Sequence, residues 1–280
     1  MREEAKVLAN SEVGAGYRLL RLFSPASARR ALPGQFVHVR VPSFDPFALR
    51  RPLSVCFADP ASGTLEILYK IVGRGTEALA KAREGVAVDL MGPLGKPFPR
   101  PARDVRPVLV GGGYGVAPLY FLAASHGRAA GDGAASGEAG RPVLFVGART
   151  AADLMLLDRF EALGVEVHAA TDDGSAGVRG LVTAALDAWL ARCEAQGGGP
   201  SPQKLAFYAC GPAPMLRAVE ERALARREEA WLSLDRRMAC GVGTCFGCTQ
   251  RVREADGSEA VARVCADGPV FPAGRIIWGD

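Results

Sequence analysis

Along the first hundred residues, apolar and polar positions alternate in short runs broken by proline and glycine, the period-2 pattern of half-buried strands. The runs are 17–23, 35–41, 53–57, 64–72 and 87–90, and their spacing predicts an antiparallel β-barrel. One short helical pattern, 76–82, is placed to plug an open end of it. From Val105 the pattern changes. Strands at 108–110, 143–146, 165–170 and 205–209 alternate with helices starting at Leu119 and at 153–163, 181–195 and 214–226, which predicts a parallel-sheet α/β unit. A Pro/Gly-rich stretch, 92–101, marks the junction. Two further stretches, 126–140 and 196–203, read as insertions at helix ends, since surface loop length costs little. The expected organisation is multi-domain, β plus α/β: a barrel over 1–101, an α/β domain over 102–230 and a small module over 231–280.

With 280 residues there is room for two ordinary domains and a module, and 49% hydrophobic with 23% charged residues describes a globular chain. No apolar run approaches the ~20 residues of a membrane span. The opening Met1-Arg2-Glu3-Glu4-Ala5-Lys6 has no apolar signal core, so a cytoplasmic protein with reduced thiols is expected. The net charge of +4 is scattered in pairs such as Arg29-Arg30 and Arg236-Arg237, and aromatics are only 7%. Nucleic-acid binding needs a clustered basic face interleaved with aromatics, so that class is set aside.

Chemistry concentrates near the C-terminus. Cys240, Cys245 and Cys248 are separated by four and two residues, and Cys265 follows after sixteen more. This C-x4-C-x2-C…C spacing is that of a plant-type [2Fe–2S] centre. Gly241, Gly243 and Gly247 are expected to supply the positive φ angles of a tight wrap. Zinc is the alternative, though zinc sites usually present two two-residue-spaced pairs, and unligated thiols are a third reading. Of the other cysteines, Cys56 and Cys193 read as small buried hydrophobes.

A cluster passes single electrons, so the rest of the chain should supply or accept them. Arg50-Arg51-Pro52-Leu53-Ser54 offers a cation and a hydroxyl suited to a pyrophosphate and a flavin edge; the alternative is a surface arginine before an edge strand. Leu68-Tyr69-Lys70 ends a strand in an aromatic and a cation. Gly73-Arg74-Gly75-Thr76 leads into a helix N-terminus that suits a phosphate, or is an ordinary turn capped by Thr76. Gly111-Gly112-Gly113-Tyr114-Gly115-Val116-Ala117-Pro118 joins a strand to a helix, the arrangement that sets a phosphate on a helix N-terminus, although Pro118 stands where the third fingerprint glycine belongs. Arg149 stands at the end of the next strand, where an arginine points towards NADP, but in so irregular a fingerprint it does not decide the cofactor. Thr171-Asp172-Asp173 and Cys210-Gly211-Pro212 each cap a strand's C-terminal end, where ligands of open α/β sheets gather. A thiol at Cys210 can touch a nicotinamide ring, or simply be a small residue in a tight turn.

Together, R-P-x-S, G-x-G-T, G-G-G-x-G-x-A-P and C-G-P resemble the ferredoxin–NADP reductase superfamily. The cysteine module, closing with Cys265-Ala266-Asp267-Gly268-Pro269-Val270-Phe271, narrows the resemblance to the electron-transfer subunits of NAD-dependent dihydroorotate dehydrogenase, class 1B type. The resemblance covers nearly the whole chain. It implies FAD in the barrel, held by Arg51, Pro52, Leu53, Ser54, Leu68, Tyr69, Lys70, Gly75 and Thr76. It implies NAD(H) as substrate in the α/β domain, bound through Gly111, Gly112, Gly113, Gly115, Thr171, Asp172, Asp173, Cys210, Gly211 and Pro212. Cys240, Cys245, Cys248 and Cys265 would carry the [2Fe–2S] cluster. The implied partner is a separate FMN-bearing catalytic subunit that interconverts dihydroorotate and orotate in pyrimidine synthesis, assembled as a dimer of heterodimers. Electrons would run between partner FMN, cluster, FAD and NAD, with no acid–base residue of the organic reaction in this chain. The Gly/Ala insertion after Ser125 and the longer spacing before Cys265 depart from the family pattern. Other expectations of the same module order are a subunit of a sulfide dehydrogenase or of an NADH-dependent ferredoxin:NADP oxidoreductase, a free-standing oxygenase reductase, and a zinc-stapled binding module without activity.

Overall fold

The computed structural model describes residues 1–40, 49–102, 104–129, 140–196 and 204–279. The insertions expected at 126–140 and 196–203 fall largely outside these residues, as does Val41 at the end of one expected strand.

Seven strands form the first sheet: β1 (Arg2–Gly14), β2 (Tyr17–Phe23), β3 (Phe36–Arg40), β4 (Arg51–Ser54), β5 (Phe57–Asp59), β6 (Thr64–Lys70) and β7 (Ala87–Leu94). Every pairing is antiparallel, in the order β4-β3-β7-β1-β2-β6-β5. Laid flat, seven strands at about 4.8 Å spacing would put the edges roughly 29 Å apart. Yet the edge strands β4 and β5 are joined by Val55 and Cys56 alone, a reach of roughly 10 Å, so the sheet must curl until its edges meet. The barrel is thus enforced by chain continuity. This also corrects the strand expected over 53–57: it is two strands on opposite edges, with Cys56 in the link. The period-2 pattern does not see the crossing, because both halves are apolar.

Inside the barrel lie Val7, Leu20, Leu22, Val37, Val39, Leu65, Ile67, Tyr69, Val88 and Leu90. The short α1 (Pro25–Ala28) follows β2, and α2 (Arg74–Ala80) packs Leu79 into the same core, as the expected plug does. β1 is absent from the sequence expectations because its exposed face carries Arg2, Glu4 and Lys6, leaving only Ala5 and Val7 as a buried alternation.

The second sheet has seven strands in the order β11-β10-β9-β8-β12-β13-β16, parallel except for the last. They are β8 (Val105–Gly112), β9 (Val143–Ala148), β10 (Glu166–Thr171), β11 (Val178–Arg179), β12 (Lys204–Cys210), β13 (Glu229–Ser233) and β16 (Val270–Pro272). Helices α3 (Val116–Ala129), α4 (Leu157–Ala162), α5 (Val182–Gln196) and α6 (Ala213–Arg226) make the crossovers. The chain steps outward from β8 through β9 and β10 to β11, then returns to the other side of β8 as β12, so the strand order reverses between β8 and β12. Ligands of open α/β sheets bind at such a switch point, outside the strand C-termini.

A hairpin of β14 (Thr249–Arg253) and β15 (Glu259–Arg263) belongs to the cysteine module. That module is not a loose appendage. The boundary expected after Ala230 falls inside β13, and β16 comes back from beyond Cys265 to pair with it: Trp231 with Pro272, Leu232 with Phe271, Ser233 with Val270. A single apolar core runs from Val108 and Phe207 through Leu232 and Phe271 to Cys248, Cys265 and the barrel residue Phe36. The junction at 92–101 is pinned as well, its Lys96 N–H donating to the Gly268 carbonyl at 2.6 Å.

Candidate functional site: two cavities and a cysteine loop

Two cavities meet where the barrel, the switch point and the cysteine module converge. The smaller, about 210 Å³, is lined by Arg51, Pro52, Leu53 and Ser54 of β4, by Leu68, Tyr69 and Lys70 of β6, by Thr76, and by Phe36, Tyr114 and Met238 among others. The larger, about 820 Å³, lies over the C-terminal ends of β8, β9, β10 and β12. Lys70, Val72, Tyr114, Gly115, Cys210 and Asp235 line both, so the cavities share a wall. A further depression of about 480 Å³ over Leu8, Asn10, Arg18 and 80–84 is open and shares no residue with either.

On the barrel side the structure separates two arginines that the sequence leaves equivalent. Arg50 is committed to the fold: its guanidinium donates to the Asp89 carbonyl at 2.8 Å and pairs with the Asp89 carboxylate, which Arg2 also holds at 2.9 Å. Burial raises the Asp89 carboxyl, but hydrogen bonds from Arg2 and Arg50 outweigh it and hold it below the usual range. Arg51 donates to the Leu49 carbonyl at 2.6 Å, and its guanidinium lies flat on Gly75. A Cβ at Gly75 would stand 2.6 Å from the Arg51 Cζ, so the glycine is what lets the cation lie there. Gly75 itself is not in the cavity wall.

Strand alternation divides 68–70. Leu68 and Lys70 turn towards the α/β domain, where the Lys70 ammonium pairs with Asp153 at 3.0 Å and sits 4.4 Å over the Tyr17 ring. Tyr69 points into the barrel, its hydroxyl donating to Asn10 Oδ1 at 3.0 Å, so its ring is a core element. Thr76 carries a cap: its Oγ1 accepts from the N–H groups of Val72 (2.9 Å) and Gly73 (3.2 Å) and donates to the Gly73 carbonyl at 2.8 Å. Thr76→Val removes all three bonds at a buried position and is expected to lower unfolding free energy by about 1–2 kcal/mol, measured by urea denaturation.

On the switch-point side, β8 ends at Gly112, a 3-10 turn covers Gly113–Gly115, and α3 starts at Val116 with Pro118 in its first turn, where a missing N–H costs nothing. This turn and Cys210-Gly211-Pro212 interlock: a Cβ at Gly112 would meet Pro212 Cδ at 2.7 Å, and one at Gly211 would meet Gly112 N at 3.0 Å. Gly112, Gly113, Gly115, Asp172, Cys210, Gly211 and Pro212 all line the larger cavity. Gly111, Thr171 and Asp173 do not. Gly111 sits within the sheet between β9 and β12. The Thr171 hydroxyl is buried in the 171–176 turn, donating to the Ala176 carbonyl at 2.8 Å, and Asp173 accepts from the Ser175 N–H at 2.9 Å. Burial pushes the Cys210 thiol up to about 12, against a hydrogen bond from Ser233, so it is a neutral wall residue at pH 7. Burial likewise pushes Cys56 up to about 12, in keeping with a core thiol.

The wall also holds residues that motif reading passes over. Tyr114 donates its hydroxyl to Asp235 Oδ2 at 3.1 Å, tying the glycine turn to the cysteine module. Tyr114 stands inside the glycine motif, which is signal enough to have singled it out. Phe36, Met238 and Asp235 carry no local signal and are brought in by packing alone.

In the cysteine loop, Gly241 (φ 71) and Gly243 (φ 85) are left-handed as expected, but Gly247 is not. The third left-handed residue is Phe246 (φ 55), whose exposed ring lies 5.5 Å from the Arg263 guanidinium, while the Gly247 N–H donates to Cys245 Sγ at 3.4 Å. Backbone N–H groups reach two more of the sulfurs, Val242 donating to Cys240 Sγ at 3.5 Å and Cys265 to Cys248 Sγ at 3.4 Å. Burial opposes ionisation of Cys240, but the N–H groups of Val242 and Cys245, the Thr244 hydroxyl and the Cys245 thiol outweigh it and bring it down to about 5. Burial, then the neighbouring Cys248, raises Cys265 to about 12. Four cysteine thiols in this spacing are the donor set of a plant-type two-iron centre, in which each iron takes two thiolates. The donors present therefore fit a [2Fe–2S] cluster.

Among the described residues no helix is long and apolar enough to cross a membrane. Comparison with known proteins agrees with the geometry at both ends of the chain. Residues 4–98 match the oxidoreductase FAD-binding domain, and residues 235–277 match the iron–sulfur cluster binding domain of dihydroorotate dehydrogenase B. The chain is 44% identical over 249 residues to the dihydroorotate dehydrogenase B (NAD(+)) electron transfer subunit of Geobacillus kaustophilus, covering 88% of this chain and 86% of that one. Its counterpart in Geobacillus thermodenitrificans is 40% identical over 282 residues, 99% of this chain and 98% of that one. Among solved structures, an NADH-dependent reduced ferredoxin–NADP oxidoreductase studied for flavin-based electron bifurcation superposes with a TM-score of 0.76 at 28% identity, covering 99% of this chain and 90% of that one. The ferredoxin reductase of carbazole 1,9a-dioxygenase, at 24% identity and a TM-score of 0.63 over 81% of this chain and 66% of that one, shares the fold. With a barrel that matches the FAD-binding domain, a switch-point cavity beside it and a four-cysteine module that matches the iron–sulfur domain, this chain belongs to the family of dihydroorotate dehydrogenase B electron transfer subunits.

Proposed function

We propose that the chain carries electrons between NAD and an FMN-bearing dihydroorotate dehydrogenase catalytic subunit, as the cytoplasmic electron-transfer half of that enzyme in pyrimidine synthesis. The observation that carries this reading is the shared wall: Lys70, Tyr114, Gly115 and Cys210 stand between the two cavities, with the cysteine loop packed on the same face of the barrel. A bound FAD would supply hydride exchange with nicotinamide and single-electron exchange with an iron–sulfur cluster, and the protein's part would be to hold and orient these groups.

In this reading Arg51 and the β4 backbone at 52–54 hold the FAD, Gly75 gives the guanidinium its place, and Thr76 shapes the turn beside it. Gly112, Gly113, Gly115, Asp172 and 210–212 receive the dinucleotide. Gly111, Thr171 and Asp173 act one layer back, by shaping the sheet end and its turn. Cys240, Cys245, Cys248 and Cys265 take the cluster, and Phe246, 59% exposed between Val242 and the hairpin, offers an apolar contact to the partner close to where electrons leave. The working division is a barrel to 101, an α/β domain to 234 and a cluster module beyond, with β13 assigned to the sheet it extends. A dimer of heterodimers is the proposed assembly.

The test is anaerobic NADH-to-orotate turnover by this chain mixed with a dihydroorotate dehydrogenase catalytic subunit containing FMN. Turnover that requires both chains is the expected result. NADH bleaching of flavin and cluster without orotate reduction would reassign the partner, and no bleaching would end the electron-transfer reading.

A further inference from the structure

His38 is a buried polar side chain that nothing above employs. On β3 the side chains alternate: Val37 and Val39 enter the barrel core, while Phe36 and His38 face outward beneath the cysteine module. Phe36 reaches the smaller cavity and joins the core that includes Cys248 and Cys265, and its ring centroid lies 5.7 Å from that of His38. His38 has no exposed surface, and among the described residues neither Nδ1 nor Nε2 has a hydrogen-bond partner. Burial, reinforced by the charge of Arg50, lowers its pKa to about 4, so at pH 7 it is a neutral imidazole with one N–H to donate.

The direction of its polar edge is decided by Gly241. A Cβ built there would lie 2.7 Å from Cε1 and 2.9 Å from each ring nitrogen, so the Nδ1–Cε1–Nε2 edge rests against the residue that follows Cys240. Any side chain at 241 would push the imidazole away. Buried N–H groups are nearly always paired, and an unpaired one is costly. Among the described residues none supplies a partner, while the residue just before Gly241 is Cys240, one of the four proposed cluster ligands.

We propose that the partner is the sulfur shell of the cluster: His38 donates its N–H to Cys240 Sγ or to an adjacent sulfide, and is a positioning residue that tunes the cluster's potential from the flavin side. This rests on the assignment of the cluster to the four cysteines. A donor to sulfur stabilises the reduced, more negative cluster more than the oxidised one, so its effect is to raise the potential.

The experiment is an EPR-monitored redox titration of the full chain carrying FAD and cluster, comparing wild type with His38→Phe and His38→Gln at matched iron and sulfide content. His38→Phe is expected to shift the cluster midpoint to lower potential and leave the flavin midpoint in place, with His38→Gln recovering part of the shift. An unchanged cluster midpoint in His38→Phe would overturn the proposal, as would a shift in the flavin alone. Pulsed EPR on the reduced wild type labelled with [15N]histidine needs no variant, and a weak nitrogen coupling to the cluster is expected. The chain has three histidines, and the other two are engaged in the α/β domain, His168 with Glu166 and His126 with the Gly140 carbonyl, so a coupling reports His38. No coupling in a chain that shows the cluster signal would overturn the proposal and spare the cluster. A reconstituted wild type with no iron–sulfur signal would remove the cluster assignment and the proposal together.

Discussion

Cys245→Ser is expected to leave a chain that binds FAD and is bleached by NADH but reduces no partner. Cys245 is exposed and lies in a loop without helix or strand, so exchanging its sulfur for oxygen removes no buried packing. The change falls on the donor set. A serine hydroxyl at pH 7 is neutral and a poor ligand to iron, and the set of four cysteine sulfurs loses one. The barrel cavity and the switch-point cavity do not include residue 245, so flavin content and NADH-driven flavin bleaching should match wild type. The visible spectrum should lose the cluster contribution, and NADH-to-orotate turnover with the catalytic subunit should fall to background. Wild-type turnover in a variant without cluster iron would show that electrons reach the partner by another route.

Gly115→Ala is expected to act at the opposite end of the pathway. A Cβ at 115 would overlap the Cys210 carbonyl oxygen, with the carbonyl carbon at 2.6 Å and the Gly211 nitrogen at 3.0 Å. All three are backbone atoms at the end of β12 and cannot swing aside as a side chain would. The two turns at the switch point must therefore separate. Overpacking of this kind costs about 1–3 kcal/mol. Spent on the binding geometry, that weakens NADH by about 5- to 160-fold. A titration of NADH against flavin fluorescence gives the affinity, and cluster content is the control, since residues 235–277 lie outside the overlap. Unchanged NADH affinity would mean that the dinucleotide does not lie across these two turns.

The two variants divide the chain along the line that separates local from tertiary information. The cysteine spacing, the R-P-x-S strand and the two glycine turns are short-range patterns. The chemistry proposed for them depends on residue type at fixed offsets, and so it can be proposed from sequence before any fold is known. The alternation that defines β2, β6, β8 and β12 is equally local, because each strand buries one face or both along its own length. Where burial comes from elsewhere, reading fails. β1 is mostly charged on its outer face, and the run 53–57 hides a crossing from one sheet edge to the other. The short strand β16 is a strand because β13, itself held on its other side by β12, offers it an edge across residues 234–269 of the cysteine module.

The same division holds in the site. Sequence alone determined which residue types the proposed site offers: four cysteines for a cluster, an arginine beside proline for a flavin, and glycines at two strand ends for a dinucleotide. Tertiary structure decided which of them meet and how. It committed Arg50 to Asp89 and laid Arg51 on Gly75, turned Tyr69 into the barrel and Thr76 into a cap, and set Thr171 and Asp173 behind the cavity wall. It also brought Tyr114 to Asp235 and His38 to Gly241, contacts between residues 121 and 203 positions apart. No spacing rule spans such separations, because those contacts arise from the barrel, the sheet and the module closing on one shared core.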